Sequence, residues 1–146
     1  MLIGDVDLVG NWVVNRTGSA MPRSGATAIG LMQDGKIAAG VLYEDFTQAS
    51  IHATIAVDHG TVLSRDFVFA IFDYPFNQLV VEKILVYVNT ANKESMRLAE
   101  HFGFVEEARV KGVFLDGDQV IYSITKDQCH LLKRFNHEQT QENSSA

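Results

Sequence analysis

The segment from Val86 to Phe104 restricts the fold more than any other part of the chain. Its sequence, VYVNTANKESMRLAEHFGF, predicts a strand, a short polar turn, an amphipathic helix and a Gly-Phe stop before another strand. Asn92 stands just before the helix, where its side chain can cap the helix or bond to a ligand. Ser95 falls in the first helical turn, where the helix dipole favours developing negative charge. The residues alone leave a structural and a functional role open at this turn.

Length and charge narrow the class of protein. With 146 residues, the chain is expected to form one domain over residues 1–136, and its polar, non-periodic tail, 137–146, is expected to be disordered. The net charge of −6 gives no general attraction to nucleic acid or anionic lipid. No apolar run approaches ~18 residues, so no membrane span is predicted. The single cysteine, Cys129, excludes a disulfide within the chain and indicates a reducing, cytoplasmic location.

The first half of the chain predicts a helix followed by an antiparallel hairpin. A short helix is expected from Leu8 to Arg16. Asp34-Gly35 separates two apolar runs, and this dipeptide favours a hairpin because both turn positions need positive φ. The two hairpin strands are expected at Ala26–Met32 and Lys36–Phe46, and a third strand at Ser50–Val57.

The next segment, Arg65 to Leu79, predicts a helix that is apolar almost all round. Ser64 is its expected N-cap, and Pro75 should kink or restart it. Such a helix is either buried on more than one side or packs on a partner, so core packing and a homodimer contact both remain open. The aromatic residues behind this expectation are Phe67, Phe69, Phe72, Tyr74 and Phe76.

The second half predicts strand–helix–strand units. We expect strands at Lys83–Val88, Phe104–Lys111 and Gln119–Thr125, a helix at Lys93–His101, a turn at Asp116-Gly117-Asp118 and a terminal helix at Asp127–Phe135. Hairpins followed by such units indicate an α/β or α+β fold with a mixed sheet.

Several of these residues carry a family resemblance. Asn92, Ser95, Leu98 and Gly103-Phe104 resemble the pattern of the GNAT superfamily of acyl-coenzyme-A-dependent N-acetyltransferases. The resemblance is closest to the branch that includes ribosomal-protein N-terminal acetyltransferases, and further matches are Glu107, Arg109 and Gly117-Asp118. The helix sequence SRDFVFAIFDYPFNQL is also similar to short acetyltransferase-like proteins of phages and prophages.

The resemblance implies a fold and a cofactor. The implied fold is a mixed, mostly antiparallel central sheet with helices on both faces and with strands that splay apart at the cofactor site. The implied co-substrate is acetyl-CoA. Its acylated pantetheine arm would lie in the wedge between the diverging strands, beside the turn that carries Asn92.

The phosphate-binding loop departs from the family pattern. The family places Arg/Gln-x-x-Gly-x-Gly/Ala between the middle strand and the next helix, whereas this chain has only one glycine there, Gly60. Asp58 would repel a phosphate group. A turn, hydroxyls, a helix N-terminus and one cation are still present, so we still expect cofactor binding at this loop. The implied cofactor residues are Ala56 and Val57 through their backbone groups, Gly60, Thr61, Ser64, Arg65, Asn92 and Ser95.

Catalytic roles are implied in the same way. Many members have a tyrosine acid one turn into the helix, and this chain has Ala99 there, so Ser95 is the substitute candidate for protonating or stabilising the departing thiolate. Candidates for the general base are Glu44 and Asp45 at the end of the hairpin and His52 on the adjoining strand, and also His59 near the loop. Tyr87 and Tyr122 are expected to pack in the core with satisfied hydroxyls. No metal-binding spacing is present.

The sequence therefore predicts an N-acetyltransferase that moves an acetyl group to a primary amine by direct attack in a ternary complex. The acceptor is a small-molecule or protein amine, and the setting is the cytoplasm of a bacterium or a phage-infected host. The alternative is a catalytically inactive binding or assembly module of the same fold, of phage origin. A third interpretation is acyl transfer to a modified nucleobase or interference with a host protein.

Overall fold

A computed structural model of the chain describes residues 1–135. It has a mixed α/β fold with seven strands, most of them antiparallel to their neighbours, so the predicted fold class is confirmed. The chain divides into two compact units, Met1–Val81 and the part that begins at Glu82. The single-domain organisation and the splayed strands stay predictions, and the tail 137–146 lies outside the described residues.

The first unit is a four-stranded antiparallel sheet with a helix on each face. Its strands are ordered β1-β2-β3-β4. The elements are β1 (Leu2–Ile3), α1 (Val6–Thr17), β2 (Thr27–Gln33), β3 (Lys36–Glu44), β4 (Ser50–Val57), α2 (Arg65–Asp73) and a π-helical turn (Tyr74–Gln78). The sequence predicted these elements to within a few residues, except β1, which is too short to leave a pattern.

Helix α1 approaches one face of this sheet closely because two glycines lie beneath it. Gly30 and Gly40 are directly opposite each other on β2 and β3. A Cβ at Gly30 would lie 2.8 Å from Val9, and one at Gly40 would lie 3.0 Å from Val13. The core on this face consists of Val9, Val13, Val14, Ala28, Leu42 and Ala56.

Helix α2 covers the other face. Tyr43 alternates with Leu42 along β3, and its hydroxyl donates a 2.7 Å hydrogen bond to the carbonyl oxygen of Ile71. Three of the aromatic residues predicted for this segment, Phe67, Phe72 and Phe76, are buried. Core packing is therefore the main role of these aromatics. The predicted break at Pro75 coincides with the change from α2 to the π-helical turn.

The second unit is a three-stranded antiparallel sheet ordered β5-β7-β6 with helices beside it. Its elements are β5 (Lys83–Asn89), α3 (Lys93–His101), β6 (Val105–Phe114), β7 (Gly117–Thr125) and a helical segment, α4, at residues 130–135. The predicted Gly-Phe stop is confirmed. Gly103 has φ 98°, and the N–H groups of Gly103 and Phe104 donate to the carbonyl oxygens of Glu100 and Ala99, which is a Schellman cap.

Three expectations for this unit were wrong in detail. The turn between the last two strands consists of Leu115 and Asp116, and Gly117 is already the first residue of β7, because Phe114 pairs with Gly117. The terminal helix begins at residue 130 rather than at Asp127, since residues 126–128 form a turn. Tyr87 does not pack in the core, because 45% of its surface is exposed.

Candidate functional site

The loop between β4 and α2 is ordered by contacts within the first unit. The backbone N–H of Asp58 donates to the carbonyl oxygen of Ala38, and the N–H of Thr61 donates to that of Asp58. The Thr61 hydroxyl also donates to the carbonyl oxygen of Ala38, at 3.4 Å. Gly60 has φ 79°, and a Cβ at this position would meet no atom within 4 Å. The loop is thus fixed at its base, while its glycine tip stands in open space.

Asp58 does not carry an uncompensated charge toward this loop. Its two carboxylate oxygens accept hydrogen bonds from Nε and Nη2 of Arg16, at 2.7 and 3.3 Å. The guanidinium group of Arg16 also lies 3.8 Å from the ring centroid of Trp12, one helical turn earlier. The expected repulsion of a phosphate group by Asp58 is therefore offset by a cation that is distant in sequence.

Helix α2 begins directly after the loop. Ser64 has extended backbone dihedrals, and its Oγ accepts a hydrogen bond from the N–H of Phe67, so its predicted role as N-cap is confirmed. Arg65 and Asp66 follow in the first turn, and both are exposed. An anion at this end would meet the positive end of the helix dipole and one cation, but also the carboxylate of Asp66.

Ala56 and Val57 lead into the loop from β4. They lie opposite Gly40 and Ala39 of β3 in the antiparallel register. The Ala56 side chain is buried in the core beneath α1. These two residues can therefore offer a ligand only backbone groups, as their predicted role requires.

The turn between β5 and α3 places Asn92 and Ser95 together. Oδ1 of Asn92 accepts a 3.1 Å hydrogen bond from the backbone N–H of Ser95, so Asn92 is the N-cap of α3. The Asn92 side chain is exposed and the Ser95 side chain is half-buried. Because Nδ2 of Asn92 is not used by the cap, the amide can bond a ligand while its oxygen holds the helix.

The candidate general bases form one cluster, which we call the His52 cluster: Arg23, Glu44, Asp45 and His52. His52 on β4 lies opposite Glu44 at the end of β3. Arg23 joins the carboxylates, because its N–H donates to Oε2 of Glu44 at 3.0 Å and its Nη1 lies 2.8 Å from Oδ1 of Asp45. The candidates at the end of β3 and on the adjoining strand thus lie together, whereas His59 lies on the exposed β4–α2 loop.

Burial controls the protonation of His52. Desolvation lowers the pKa of its half-buried imidazole below the ordinary value of 6.5. The charges of Asp45 and Glu44 oppose this shift, and Arg23 adds to it. His52 is therefore neutral near pH 7, which is the protonation state that can accept a proton.

The His52 cluster and the β4–α2 loop lie at opposite ends of β4. His52 precedes Val57 by five residues, so their Cα atoms are about 17 Å apart along the strand. A single ligand that reaches both must be long and narrow.

Tyr122 has a structural role. The Tyr122 hydroxyl donates to Oε1 of Glu100 at 3.1 Å. Burial, followed by this hydrogen bond, raises the pKa of Tyr122 to about 12. Tyr122 was expected to be a core residue with a satisfied hydroxyl, and this is confirmed.

Among residues 1–135, no group of three or more His, Cys, Asp or Glu side chains could hold a metal ion, and no helix is long and apolar enough to cross a membrane.

Two arginines of this region were missed from the sequence. Arg16 neutralises Asp58 across 42 positions, and Arg23 bridges Glu44 and Asp45 across 21 and 22. No local pattern marks the contacts of Arg23. For Arg16, the spacing from Trp12 is a local signal, because it places an aromatic ring beneath the guanidinium group on one helix face, but it does not indicate Asp58 as the partner.

Comparison with known proteins gives the fold a context. No protein-family model and no curated protein sequence matches the chain. Among solved structures, a variant of the spermidine N-acetyltransferase from Vibrio cholerae is similar over 92% of this chain and 98% of its own, with 20% identity and a TM-score of 0.70.

Two further acetyltransferases show the same fold. A ribosomal-protein alanine acetyltransferase from Vibrio fischeri is 21% identical, with a TM-score of 0.59, over 71% of this chain and 63% of its own. The chain thus spans less than two thirds of that protein. The N-acetyltransferase PseH from Campylobacter jejuni, in complex with acetyl coenzyme A, is 17% identical, with a TM-score of 0.56, over 71% of this chain and 70% of its own. The acetyltransferase fold implied by the sequence is confirmed at this level, and the branch and the phage-type origin stay predictions.

Proposed function

We propose that the protein is an acetyl-CoA-dependent N-acetyltransferase that moves an acetyl group to a primary amine by direct attack in a ternary complex. The observation that supports this most is the fold, which matches a spermidine N-acetyltransferase over nearly the whole of both chains. The cytoplasmic location, the homodimer and the ribosomal-protein-like branch are further parts of the proposal that rest on the sequence.

The residues around the β4–α2 loop fit the polar end of acetyl-CoA. Gly60 is open to solvent, Ser64 caps the following helix, and Arg16 compensates the charge of Asp58. In our proposal the phosphates bind the backbone of Gly60 and Thr61 and the first turn of α2 with Arg65. Backbone groups of Ala56 and Val57 pair with the pantetheine amides, and Asn92 contributes its free Nδ2.

The length of β4 supports an elongated co-substrate. About 17 Å separates Val57 from the His52 cluster along the strand. A ligand with a phosphate group at one end and its reactive group near the other has this shape. A compact nucleotide held at the loop would not reach His52.

The His52 cluster supplies the acceptor side of the proposed reaction. Glu44 and Asp45 attract an ammonium group, and neutral His52 accepts its proton, so that the free amine can attack the acetyl carbon. Acetyl-CoA supplies the acetyl group as a thioester, and the thiolate of CoA leaves when the carbon–sulfur bond breaks. Ser95, in the first turn of α3, stabilises or protonates the departing thiolate. Spermidine is the first acceptor to test, and an N-terminal alanine peptide is the second.

Calorimetry with acetyl-CoA tests the proposal directly. We expect a saturable heat of binding and a raised melting temperature, because a ligand that binds only the folded state stabilises it. Turnover is then measured by release of free thiol with each acceptor. No binding at millimolar acetyl-CoA would remove the enzyme proposal and leave the binding-module alternative.

Two matched variants test the site. Asn92→Ser keeps an N-cap but removes the amide, so we expect normal stability and weaker acetyl-CoA binding. Ser95→Ala removes only the hydroxyl, so we expect unchanged binding and a kcat about tenfold lower. Unchanged binding and turnover in both variants would contradict the proposed site.

A further inference from the structure

The turn that carries Asn92 is fastened to the tip of the β6–β7 hairpin by side-chain hydrogen bonds. Oγ1 of Thr90 accepts a 2.9 Å hydrogen bond from the backbone N–H of Asp118. The N–H of Thr90 in turn donates to the carbonyl oxygen of Asp118, also at 2.9 Å. Thr90 and Asp118, which are 28 positions apart, are therefore joined by two hydrogen bonds, one to the Thr90 side chain and one from its backbone N–H.

Asn89 adds hydrogen bonds to this contact between the Asn92 turn and the tip of the β6–β7 hairpin, which we call the junction. Its Nδ2 donates to Oδ1 of Asp116 at 2.8 Å, and its Oδ1 accepts from the N–H of Ala91 at 3.0 Å. Oδ1 of Asp118 also accepts from the N–H of Gly112 on β6, at 3.0 Å. Every polar atom of the Asn89 amide is therefore directed to the turn or to the hairpin tip.

The junction is packed as well as hydrogen-bonded. A Cβ at Gly117 would collide with Oδ1 of Asn89 and would lie 2.7 Å from Oγ1 of Thr90. Side chains essentially never approach so closely, so only glycine at this position lets the hairpin tip reach the turn. The φ of Gly117 is not positive, which leaves close approach as the reason for the glycine.

The same turn determines where Ser95 lies. The N–H of Asn92 donates to the carbonyl oxygen of Asn89 at 2.9 Å, and Oδ1 of Asn92 accepts from the N–H of Ser95. Asp118 is thus hydrogen-bonded to Thr90, the backbone of the turn links Thr90 to Asn92, and Asn92 is hydrogen-bonded to Ser95. Displacement of the hairpin tip would move Ser95 with it.

We infer that Thr90, through its bonds to Asp118, is a positioning residue that fixes the Asn92 turn and thereby sets Ser95 for its role at the leaving group. This inference rests on the proposed function for its kinetic consequence. Its structural consequence, the order of the first turn of α3, does not depend on that function.

Thr90→Val tests the inference, because valine has nearly the same shape but no hydroxyl. Thr125→Val is the matched control. Oγ1 of Thr125 also accepts a backbone N–H, from Gln128, but Thr125 pairs with Lys83 at the far end of β5, about 20 Å away along the strand. Thr90→Ser keeps the hydroxyl and is the rescue variant.

Two readouts separate positioning from general damage. We expect Thr90→Val to lower kcat by up to about tenfold, which is the loss expected for Ser95→Ala, because Thr90 acts through Ser95. Thr125→Val and Thr90→Ser should leave kcat within about twofold of the unaltered protein. In a Ser95→Ala background, Thr90→Val should cause no further loss, because both act through one group.

Amide hydrogen exchange supplies the readout that does not need activity. We expect exchange at the Ser95 and Met96 amides to be faster in Thr90→Val and unchanged in Thr125→Val. If Thr90→Val does not fold, Asp116→Ala at the exposed turn removes the partner of Asn89 and should speed the same amides. A protein that shows this exchange pattern but does not bind acetyl-CoA would refute the proposed function and retain the junction. Unchanged exchange at Ser95, or equal effects of Thr90→Val and Thr125→Val, would overturn the inference.

Discussion

The β2–β3 and β6–β7 hairpins both contain the dipeptide Asp-Gly, but the dipeptide occupies the turn in the first hairpin and spans the end of the turn and the start of β7 in the second. In the first hairpin, Asp34 and Gly35 are the two turn residues, with φ of 52° and 76°. A Cβ at Gly35 would meet nothing within 4 Å. In the second, the turn residues are Leu115 and Asp116, and Gly117 lies in β7 against the β5–α3 turn.

The difference separates a local requirement from a long-range one. Gly35 is needed because the turn demands positive φ, which depends only on neighbouring residues. Gly117 is needed because Asn89 and Thr90 occupy the space where a side chain would be. Leu115 and Asp116 lack the positive φ that matches strand twist in a two-residue turn. The nearby register shift between Val110 and Phe114, with Gly112 at φ 68°, accommodates the mismatch.

Alanine at the two glycines should give the largest contrast. We expect Gly117→Ala to lower the free energy of unfolding by about 2–3 kcal/mol, because the junction has no room for a methyl group. Gly35→Ala should cost about 1 kcal/mol, the strain of a left-handed alanine. Urea denaturation measures both, and a larger loss at Gly35 would contradict the long-range explanation.

Asparagine at the same positions should recover stability relative to alanine at Gly35 but not at Gly117. Asparagine tolerates positive φ, so Gly35→Asn should recover most of the stability lost in Gly35→Ala. Gly117→Asn should be worse than Gly117→Ala by about 1 kcal/mol or more, because the side chain is larger. Recovery at both positions in urea denaturation would mean that backbone conformation explains both glycines.

The two N-caps provide a case in which both units depend on local chemistry. Ser64→Ala and Asn92→Ala should each cost about 1 kcal/mol, because each removes one side-chain bond to a helix N–H. Exchanging the cap types, with Ser64→Asn and Asn92→Ser, should leave stability nearly unchanged. A loss in Asn92→Ala that is much larger than in Ser64→Ala would show that the cap itself carries part of the long-range junction.

Ion pairs on β6 should contribute least to stability, although one is short. Nη2 of Arg109 lies 2.7 Å from Oε1 of Glu106, and both side chains are more than 40% exposed. Arg109→Ala should leave the free energy of unfolding nearly unchanged, since water screens the pair. Arg109→Lys is the control, and a clear loss of stability in thermal unfolding of Arg109→Ala alone would contradict this.

The His52 cluster should respond to pH through contacts that are distant in sequence. Burial lowers the pKa of His52 in the folded protein below its ordinary value of 6.5. As the pH falls below 6.5, the unfolded chain therefore takes up a proton at His52 before the folded protein does. The free energy of unfolding decreases over this range and stops decreasing once the pH is below the pKa of the folded state. Arg23→Ala should raise this pKa and Asp45→Asn should lower it further, by NMR titration of the imidazole. A His52 pKa above 6.5 in the unaltered protein would contradict the assignment.

Much of the fold could be predicted because its signals are local. The Asp34-Gly35 turn, the Ser64 and Asn92 caps, the break at Pro75 and the Gly103-Phe104 stop each involve residues within about one helical turn of each other. The strands β2, β3 and β4 of the first unit were found from their apolar runs. The turn at Leu115-Asp116 was misplaced because Asp116-Gly117 matches a turn signal that tertiary packing uses for another purpose.

The candidate site could be predicted only in part, because the arginines that complete it are distant in sequence from the residues they contact. Asn92 and Ser95 were found together because the cap joins neighbours. Glu44, Asp45 and His52 were expected near one another, at the hairpin's end and on the adjoining strand, but the contribution of Arg23 was missed, as was that of Arg16 to Asp58. Tyr87 was assigned to the core because strand alternation does not tell which face is covered.

The sequence by itself determined the order of elements, where most of them begin and end, and the turn that presents Asn92 and Ser95, because caps, turn residues and apolar periodicity act over a few residues. Only the tertiary structure decided which charges are paired, how far His52 is desolvated and why Gly117 must be glycine. The pairs of Arg16 with Asp58 and of Arg23 with Glu44, and the close approach of Gly117 to Asn89, join atoms more than 20 positions apart in the chain, and only folding brings such atoms together.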